Sequence, residues 1–157
     1  MKKLGILCMM LCASLFVQAQ ELSVGAPMPS FKLNSTVYGK VNSADLKGKV
    51  VLIDFTVYNN AMSAAHNLAL RDIYAKYQAK GLEIYQISLD TDEHFWKTSA
   101  DNLPWVCVRD AAGPYSQYVS IYGVAGLPSV FLVGRDNVLK LRGENIQDLE
   151  AEIRKLL

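Results

Sequence analysis

The pattern that organises the chain runs from Val50 to Leu70, where the apolar stretch Val50-Val51-Leu52-Ile53 passes through Asp54 and a short polar turn into residues at helical spacing. A continuous β-branched and aliphatic run suits a strand covered on both faces of a parallel or mixed sheet. After the turn, Ser63, His66, Leu70, Ile73, Tyr74 and Tyr77 recur three and four residues apart, so they share one face of a helix that Gly81 can end. Leu82 to Leu89 then sets Leu82, Ile84, Gln86 and Ser88 against Glu83, Tyr85, Ile87 and Leu89, the alternation of a strand with two unlike faces.

The remaining elements follow the same logic. Pro27 and Pro29 disfavour helix, which makes Gln20 to Pro29 an extended lead-in. Phe31 to Leu33 and Thr36 to Val41 predict a hairpin around Asn34-Ser35, with a second bend at Tyr38-Gly39-Lys40, and Asp45 to Lys49 is a polar connection into the central strand. Asp90-Thr91-Asp92 offers caps for a short helix near Glu93 to Ala100, and Trp105 to Arg109 is a further strand. Gly113-Pro114 opens a helix whose Tyr115, Tyr118, Val119 and Tyr122 share a face, stopped by Gly123. Ser129 to Val133 and Val138 to Leu141 form a hairpin around Asp136-Asn137, and a last helix capped by Asn145 buries Ile146, Leu149, Ile153 and Leu156.

Two stretches carry a resemblance. Gly25-Ala26-Pro27-Met28-Pro29-Ser30-Phe31-Lys32-Leu33 followed by Lys47-Gly48-Lys49-Val50-Val51-Leu52-Ile53-Asp54-Phe55 resembles the opening of the exported thiol-disulfide oxidoreductases of the TlpA/ResA type, within the redoxin superfamily that includes the AhpC/TSA group. Tyr122-Gly123-Val124-Ala125-Gly126-Leu127-Pro128-Ser129-Val130-Phe131-Leu132-Val133 is similar to the family segment that holds a cis-proline. The resemblance covers nearly all of the chain after Ala19. It implies an α/β, thioredoxin-like fold: a central mixed sheet flanked by helices, with an N-terminal hairpin and an inserted strand-helix unit.

The resemblance breaks at the active site, where members that exchange disulfides carry Cys-x-x-Cys and this chain has Asn60-Ala61-Met62-Ser63. Such a motif works because a helix N-terminus lowers the first thiol's pKa while the second thiol closes the disulfide. An amide cannot ionise or form a disulfide, and a serine hydroxyl does not replace a thiol. The ordinary dithiol mechanism is excluded for this pair. The Pro-x-x-x-Thr/Ser-x-x-Cys pattern of peroxiredoxins also has no counterpart between Phe55 and Ser63.

Composition narrows the setting. Met1 to Ala19 reads as a secretory signal peptide, with Lys2-Lys3, the apolar run Leu4 to Val17, and Val17-Gln18-Ala19 as cleavage site. The run is too short for a convincing membrane span. Cys8 and Cys12 lie inside it, each preceded by a leucine where lipidation needs a small residue, so plain cleavage is expected. Residues 20–157 then make one thioredoxin-like domain, exported to the periplasm or secreted, with no membrane insertion. Losing Lys2 and Lys3 leaves 14 basic residues against 15 acidic ones, a balance that does not suggest nucleic acid or an anionic membrane. Cys107 is the one cysteine beyond the leader, so no internal disulfide can form.

Each candidate residue has a plainer reading beside the functional one. Asp54 matches the buried acid that the family places beneath its second cysteine, while a strand-end aspartate bonded to backbone or water is the plainer and favoured reading. Cys107 on an apolar strand is a small core residue before it is a reactive thiol. Ser63 and His66 could meet as nucleophile and base with Asp54 as orienter, but no Gly-x-Ser-x-Gly motif accompanies them. His94 flanks the apolar anchor of Phe95 and Trp96, and two histidines with one cysteine make a poor metal set. No metal or cofactor is expected.

Leu127-Pro128 is the retained feature. The resemblance implies that the residue before the cis-proline pairs its backbone with an extended substrate, and Leu127 keeps both donor and acceptor. The bend required by the fold explains the proline equally well. The leading functional expectation is a non-redox binding module for a protein or peptide of the cell envelope. Its groove is formed by Tyr58, Asn59, Asn60, Ala61, Met62 and Ser63 opposite Leu127 and Pro128. The alternatives are a thiol oxidoreductase acting through Cys107 alone and a structural subunit of an envelope complex.

Overall fold

Burial of all seven residues makes the Val50–Thr56 strand the centre of the fold. The computed structural model describes residues 22–143 and 148–157, so the expected leader lies outside the described residues. In chain order the strands are β1 (Lys32–Ser35), β2 (Gly39–Asn42), β3 (Val50–Thr56), β4 (Leu82–Ser88), β5 (Val106–Arg109), β6 (Ser129–Val133) and β7 (Leu139–Gly143). The helices are α1 (Ala61–Tyr77), α2 (Glu93–Ala100), α3 (Gln117–Tyr122) and α4 (Leu149–Leu156). The strands form one mixed sheet in the order β2-β1-β5-β4-β3-β6-β7. Strands β3, β4 and β5 run parallel, and the outer pairings are antiparallel. This is the α/β architecture expected, with the hairpin β1-β2 added beside the β4-α2-β5 unit.

The central strands alternate their side chains between two cores. Val51, Ile53 and Phe55 join Tyr85, Ile87, Val108 and Phe131 on one face, covered by the lead-in and α3. Tyr122 of α3 fills that core, its ring centroid 5.0 Å from that of Phe31 and 4.9 Å from that of Phe131. Val50 and Leu52 join Ile84 and Leu132 on the other face, beneath Leu70 and Tyr74 of α1, Trp96 of α2 and Ile153 of α4. Burying one such aliphatic side chain contributes about 2 kcal/mol relative to exposure. Cys107 is the free cysteine of the described residues, so these two cores hold the fold without a disulfide. Helix α1 tightens into a 3-10 turn at Gln78–Lys80 and stops at Gly81, whose φ of 103° suits a residue without Cβ.

Several elements depart from the sequence expectation. The first hairpin turns at residues 36–38 rather than at Asn34-Ser35, because both of these residues are paired twice, with β2 and with β5. Strand β4 has the two unlike faces expected, yet six of its seven residues are buried, since α1 and α2 also cover the side of Gln86 and Ser88. The Gly113-Pro114 segment is a separate 3-10 turn, Gly113–Tyr115, and Ser116 restarts the chain as the cap of α3. Tyr115 therefore stands 93% exposed, off the face shared by Tyr118 and Tyr122. Helix α4 begins at Leu149, and the expected cap Asn145 with Ile146 lies outside the described residues.

Candidate functional site

The side of the sheet that faces α1 turns polar toward the ends of the parallel strands. On β3 the sequence Val50, Leu52, Asp54, Thr56 and on β4 the sequence Leu82, Ile84, Gln86, Ser88 point to that side. The register sets Asp54 opposite Gln86 and Gln86 opposite Cys107, a row across three strands. Helix α1 begins directly above this row. Its cap is Asn60, in extended geometry (φ −147°, ψ 128°), whose Oδ1 accepts the Met62 N–H at 2.8 Å. The amide at this position satisfies one of the free donors of the helix start.

Gln86 is the hub beneath the helix. Its Nε2 donates to Asp54 Oδ2 at 2.7 Å and to Asn67 Oδ1 at 2.7 Å, which uses both amide protons. Its Oε1 accepts from the Tyr58 hydroxyl at 2.9 Å and from Trp105 Nε1 at 3.2 Å, with Cys107 Sγ at 3.8 Å. Asp54 is fully buried, and its Oδ1 lies 3.2 Å from His66 Nε2, in ion-pair range without hydrogen-bond alignment. The strand-end reading of Asp54 is thus corrected: its partners are side chains of β4 and α1, because the end of β3 is roofed by the helix. Asp90 completes the frame, accepting from the Tyr58 backbone N–H at 2.9 Å and from Ser88 Oγ at 2.7 Å, and so pins the turn that precedes α1.

Ser63 is fully buried and its Oγ makes no hydrogen bond, to His66 or to any other described residue. A nucleophile needs access and a base, and Ser63 has neither. Tyr58 turns its ring inward against the α1-side core, and burial raises the pKa of its hydroxyl well above the usual phenol value, so it remains a proton donor. Asn59, Ala61 and Met62 form the exposed part of the turn, with Met62 67% exposed.

Leu127-Pro128 is a cis peptide bond that leads into β6. Phe55 lies opposite Ser129, which brings Pro128 beside Thr56 at the end of β3, next to the turn. The backbone N–H and C=O of Leu127 bond to no described residue. Its side chain belongs to the α3-side core, opposite Tyr58, and borders a hollow of about 270 Å³ walled by Leu89, Val119, Val124 and Ala125. The exposed rim at this end of the sheet therefore joins Asn59 to Met62, the free backbone of Leu127 and an apolar hollow. Tyr58, Ser63 and Pro128 lie beneath it.

Cys107 is 3% exposed, and burial pushes its thiol up to about 12 from the ordinary value. At neutral pH the thiolate, which is the reactive form, is suppressed by roughly a thousandfold relative to an unperturbed cysteine. Labelling of Cys107 by a thiol reagent at pH 8 is therefore expected to be at least about a hundredfold slower in the folded protein than in denaturant. Equal rates in the two states would show that the β5 thiol is open to solvent.

Sequence reasoning missed Gln86, Asn67, Asp90 and Trp105 as members of this cluster. The available signal was the placement of Gln86 and Ser88 on the same face as Leu82 and Ile84, matching Asp54 and Thr56 after Val50 and Leu52.

Residues 24–142 match the AhpC/TSA family. The thiol-disulfide oxidoreductase ResA of Bacillus thuringiensis subsp. konkukian is 27% identical over 150 residues, covering 90% of this chain and 83% of that protein. Among solved structures, an uncharacterized thioredoxin-like protein from Bacteroides vulgatus is 62% identical with a TM-score of 0.76, covering 87% of this chain and 94% of the other. A putative thiol:disulfide interchange protein DsbE from Chlorobium tepidum is 26% identical with a TM-score of 0.73 over the same shares. A fold of this order, a helix start and a cis-proline at one end of the sheet, and these likenesses together place the chain in the AhpC/TSA family, among the thioredoxin-like thiol-disulfide oxidoreductases.

Proposed function

We propose that the protein is an exported, non-redox binding module of this family, which holds an extended peptide segment of an envelope protein at the rim between Asn59 to Met62 and Leu127. The observation that carries this reading is the chemistry at the start of α1: Asn60 is engaged as the helix cap and Ser63 is buried, so neither position exchanges a disulfide. Cys107 offers no substitute, because its thiol is buried and held protonated. The unpaired N–H and C=O of Leu127 supply the main-chain pairing that an extended peptide needs, and the hollow beside it takes one apolar side chain. The leader expected at 1–19 puts this binding in the envelope, and no helix of the described residues is long and apolar enough to cross a membrane.

The test combines two measurements on the protein lacking residues 1–19. Insulin reduction with a thiol donor is expected to stay at the uncatalysed rate, and a turnover that is lost on Cys107→Ala would replace this reading with single-thiol chemistry. Peptides selected from a random extended library are expected to contain an apolar anchor, and Ala125→Asp at the exposed lip of the hollow is expected to weaken them at least tenfold with unchanged far-UV circular dichroism. Selected peptides that bind the Ala125→Asp variant equally well would remove the rim from consideration.

A further inference from the structure

The face of the sheet that carries Asp54 and Gln86 continues outward into a second polar row. Thr56 lies opposite Ser88, Ser88 opposite Arg109, Arg109 opposite Asn34, and Asn34 opposite Lys40, a run across five strands. Its outer half leaves the shelter of α1 and opens into a basin of about 620 Å³ between the β1-β2 hairpin, the end of β5 and α2. The charged residues that line it are Lys32, Lys40, Lys97 and Arg109 against one acid, Glu93.

The partners of these charges decide what the basin can accept. Glu93 is taken up by its neighbours: Lys97 Nζ stands 2.6 Å away and Arg109 3.7 Å away, and the Lys97 hydrogen bond holds its carboxyl below the usual range. Lys32 and Lys40 make no ion pair with any described residue. Arg109 is fixed in place, with Nε donating to the Asp90 carbonyl at 2.9 Å, one terminal nitrogen to the Thr91 carbonyl at 2.7 Å, and its guanidinium 5.8 Å from the Trp96 ring centre. The basin therefore keeps an excess of three positive charges, four cations less one acid, in a chain whose formal net charge is only +1.

We infer that this basin binds a small organic polyanion, a molecule carrying two or more carboxylate, phosphate or sulfate groups. Neighbouring strands lie about 4.8 Å apart, so Lys40 and Arg109 are separated by about 10 Å of backbone, and Lys32 sits about 7 Å along β1 from Asn34. Long side chains reaching in from those points converge on anionic groups spaced as in one small molecule. The volume lies within the usual range of about 300–1,000 Å³ for small-ligand sites. Asn34, Ser35 and Thr36 add neutral hydrogen-bonding groups, and concavity concentrates the positive field that draws the anion in.

The probes are citrate, tripolyphosphate and a disulfated disaccharide, with the unsulfated disaccharide as control, titrated into the protein lacking residues 1–19 and followed by amide chemical shifts. Saturable shifts centred on 32–40, Arg109 and α2 are expected with at least one anionic class, and the class that saturates names the source of the charge. The double variant Lys32→Gln with Lys40→Gln changes two exposed, unpaired side chains and is expected to weaken that binding at least tenfold. Affinity should also fall as salt rises. No saturation by any of the three anions, shifts scattered over all surface lysines, equal binding of the unsulfated disaccharide, or unchanged affinity in the double variant would each overturn the assignment. Neither substitution touches Leu127 or the turn before α1, so the peptide rim and the anion basin can fail separately.

Discussion

Replacing Gln86 with leucine is expected to lower the unfolding free energy by about 3 kcal/mol, which is a large share of the stability of a domain of this size. Leucine matches the volume approximately but provides neither donor nor acceptor. Asp54, fully buried, would lose the 2.7 Å amide donor to Oδ2, and its carboxylate would be left with the misaligned contact to His66. The Tyr58 hydroxyl and Trp105 Nε1 would lose their shared acceptor in the same step. A buried polar group stripped of its partner costs about 1–3 kcal/mol and a charged one more, and these costs overlap because the groups share one residue. Urea unfolding monitored by tryptophan fluorescence measures the effect as a lower midpoint with an unchanged slope. A loss under about 1 kcal/mol would mean that water replaces the amide and that the row Asp54-Gln86-Cys107 is not a sealed network. Gln86→Glu should be worse than leucine, since it sets a second carboxylate against Asp54 where the amide donor stood.

The frame that holds this network is legible in the sequence. Apolar runs bounded by glycine and proline marked β3, β6 and the start of β5, and three- and four-residue spacing marked α1, because burial dictates both periods. The cap of α2 among Asp90-Thr91-Asp92, of which Asp92 is the one used, and Gly123 as stop of α3 follow from capping chemistry, which is local. The misreadings arose where a distant element decides. Alternation on β4 predicts two unlike faces but cannot reveal that α1 roofs the side of Gln86 and Ser88 and buries it. Pairing of Asn34 with Arg109, 75 positions later in the chain, holds Asn34 in a strand and pushes the hairpin turn onward. Asn60 was read only as a missing thiol, although asparagine before a helical run is itself a cap signal. What the turn had lost was visible in the sequence; what the asparagine does there required the backbone.

The double change Asn60→Cys with Ser63→Cys is expected to yield a disulfide on oxidation with oxidised glutathione, each new thiol giving up a proton and the pair together passing two electrons to the glutathione disulfide. The start of α1 supplies the geometry. The residue at 60 is extended and at the cap, the residue at 63 is in the first turn, and positions so related can meet the roughly 4.4–6.8 Å Cα separation that the bond requires. The first thiol would sit where four backbone N–H groups converge and would be the more reactive, since the helix dipole favours its thiolate. The second would occupy the fully buried slot of Ser63, whose hydroxyl has no partner to lose, so that exchange costs little. The first loses the hydrogen bond that the Met62 N–H donates to Asn60 Oδ1, a cost of about 1 kcal/mol while the protein is reduced. Closing the short loop recovers part of that in the oxidised form. A free-thiol count in denaturant after oxidation is expected to match that of the parent protein, with Cys107 still reduced, and insulin reduction is expected to rise above the parent's uncatalysed rate. Both introduced thiols remaining titratable after oxidation would show that the start of α1 holds positions 60 and 63 too far apart. In that case the binding rim could not be drawn from the family's geometry, and the chemistry lost at this helix start would have taken the shape of the site with it.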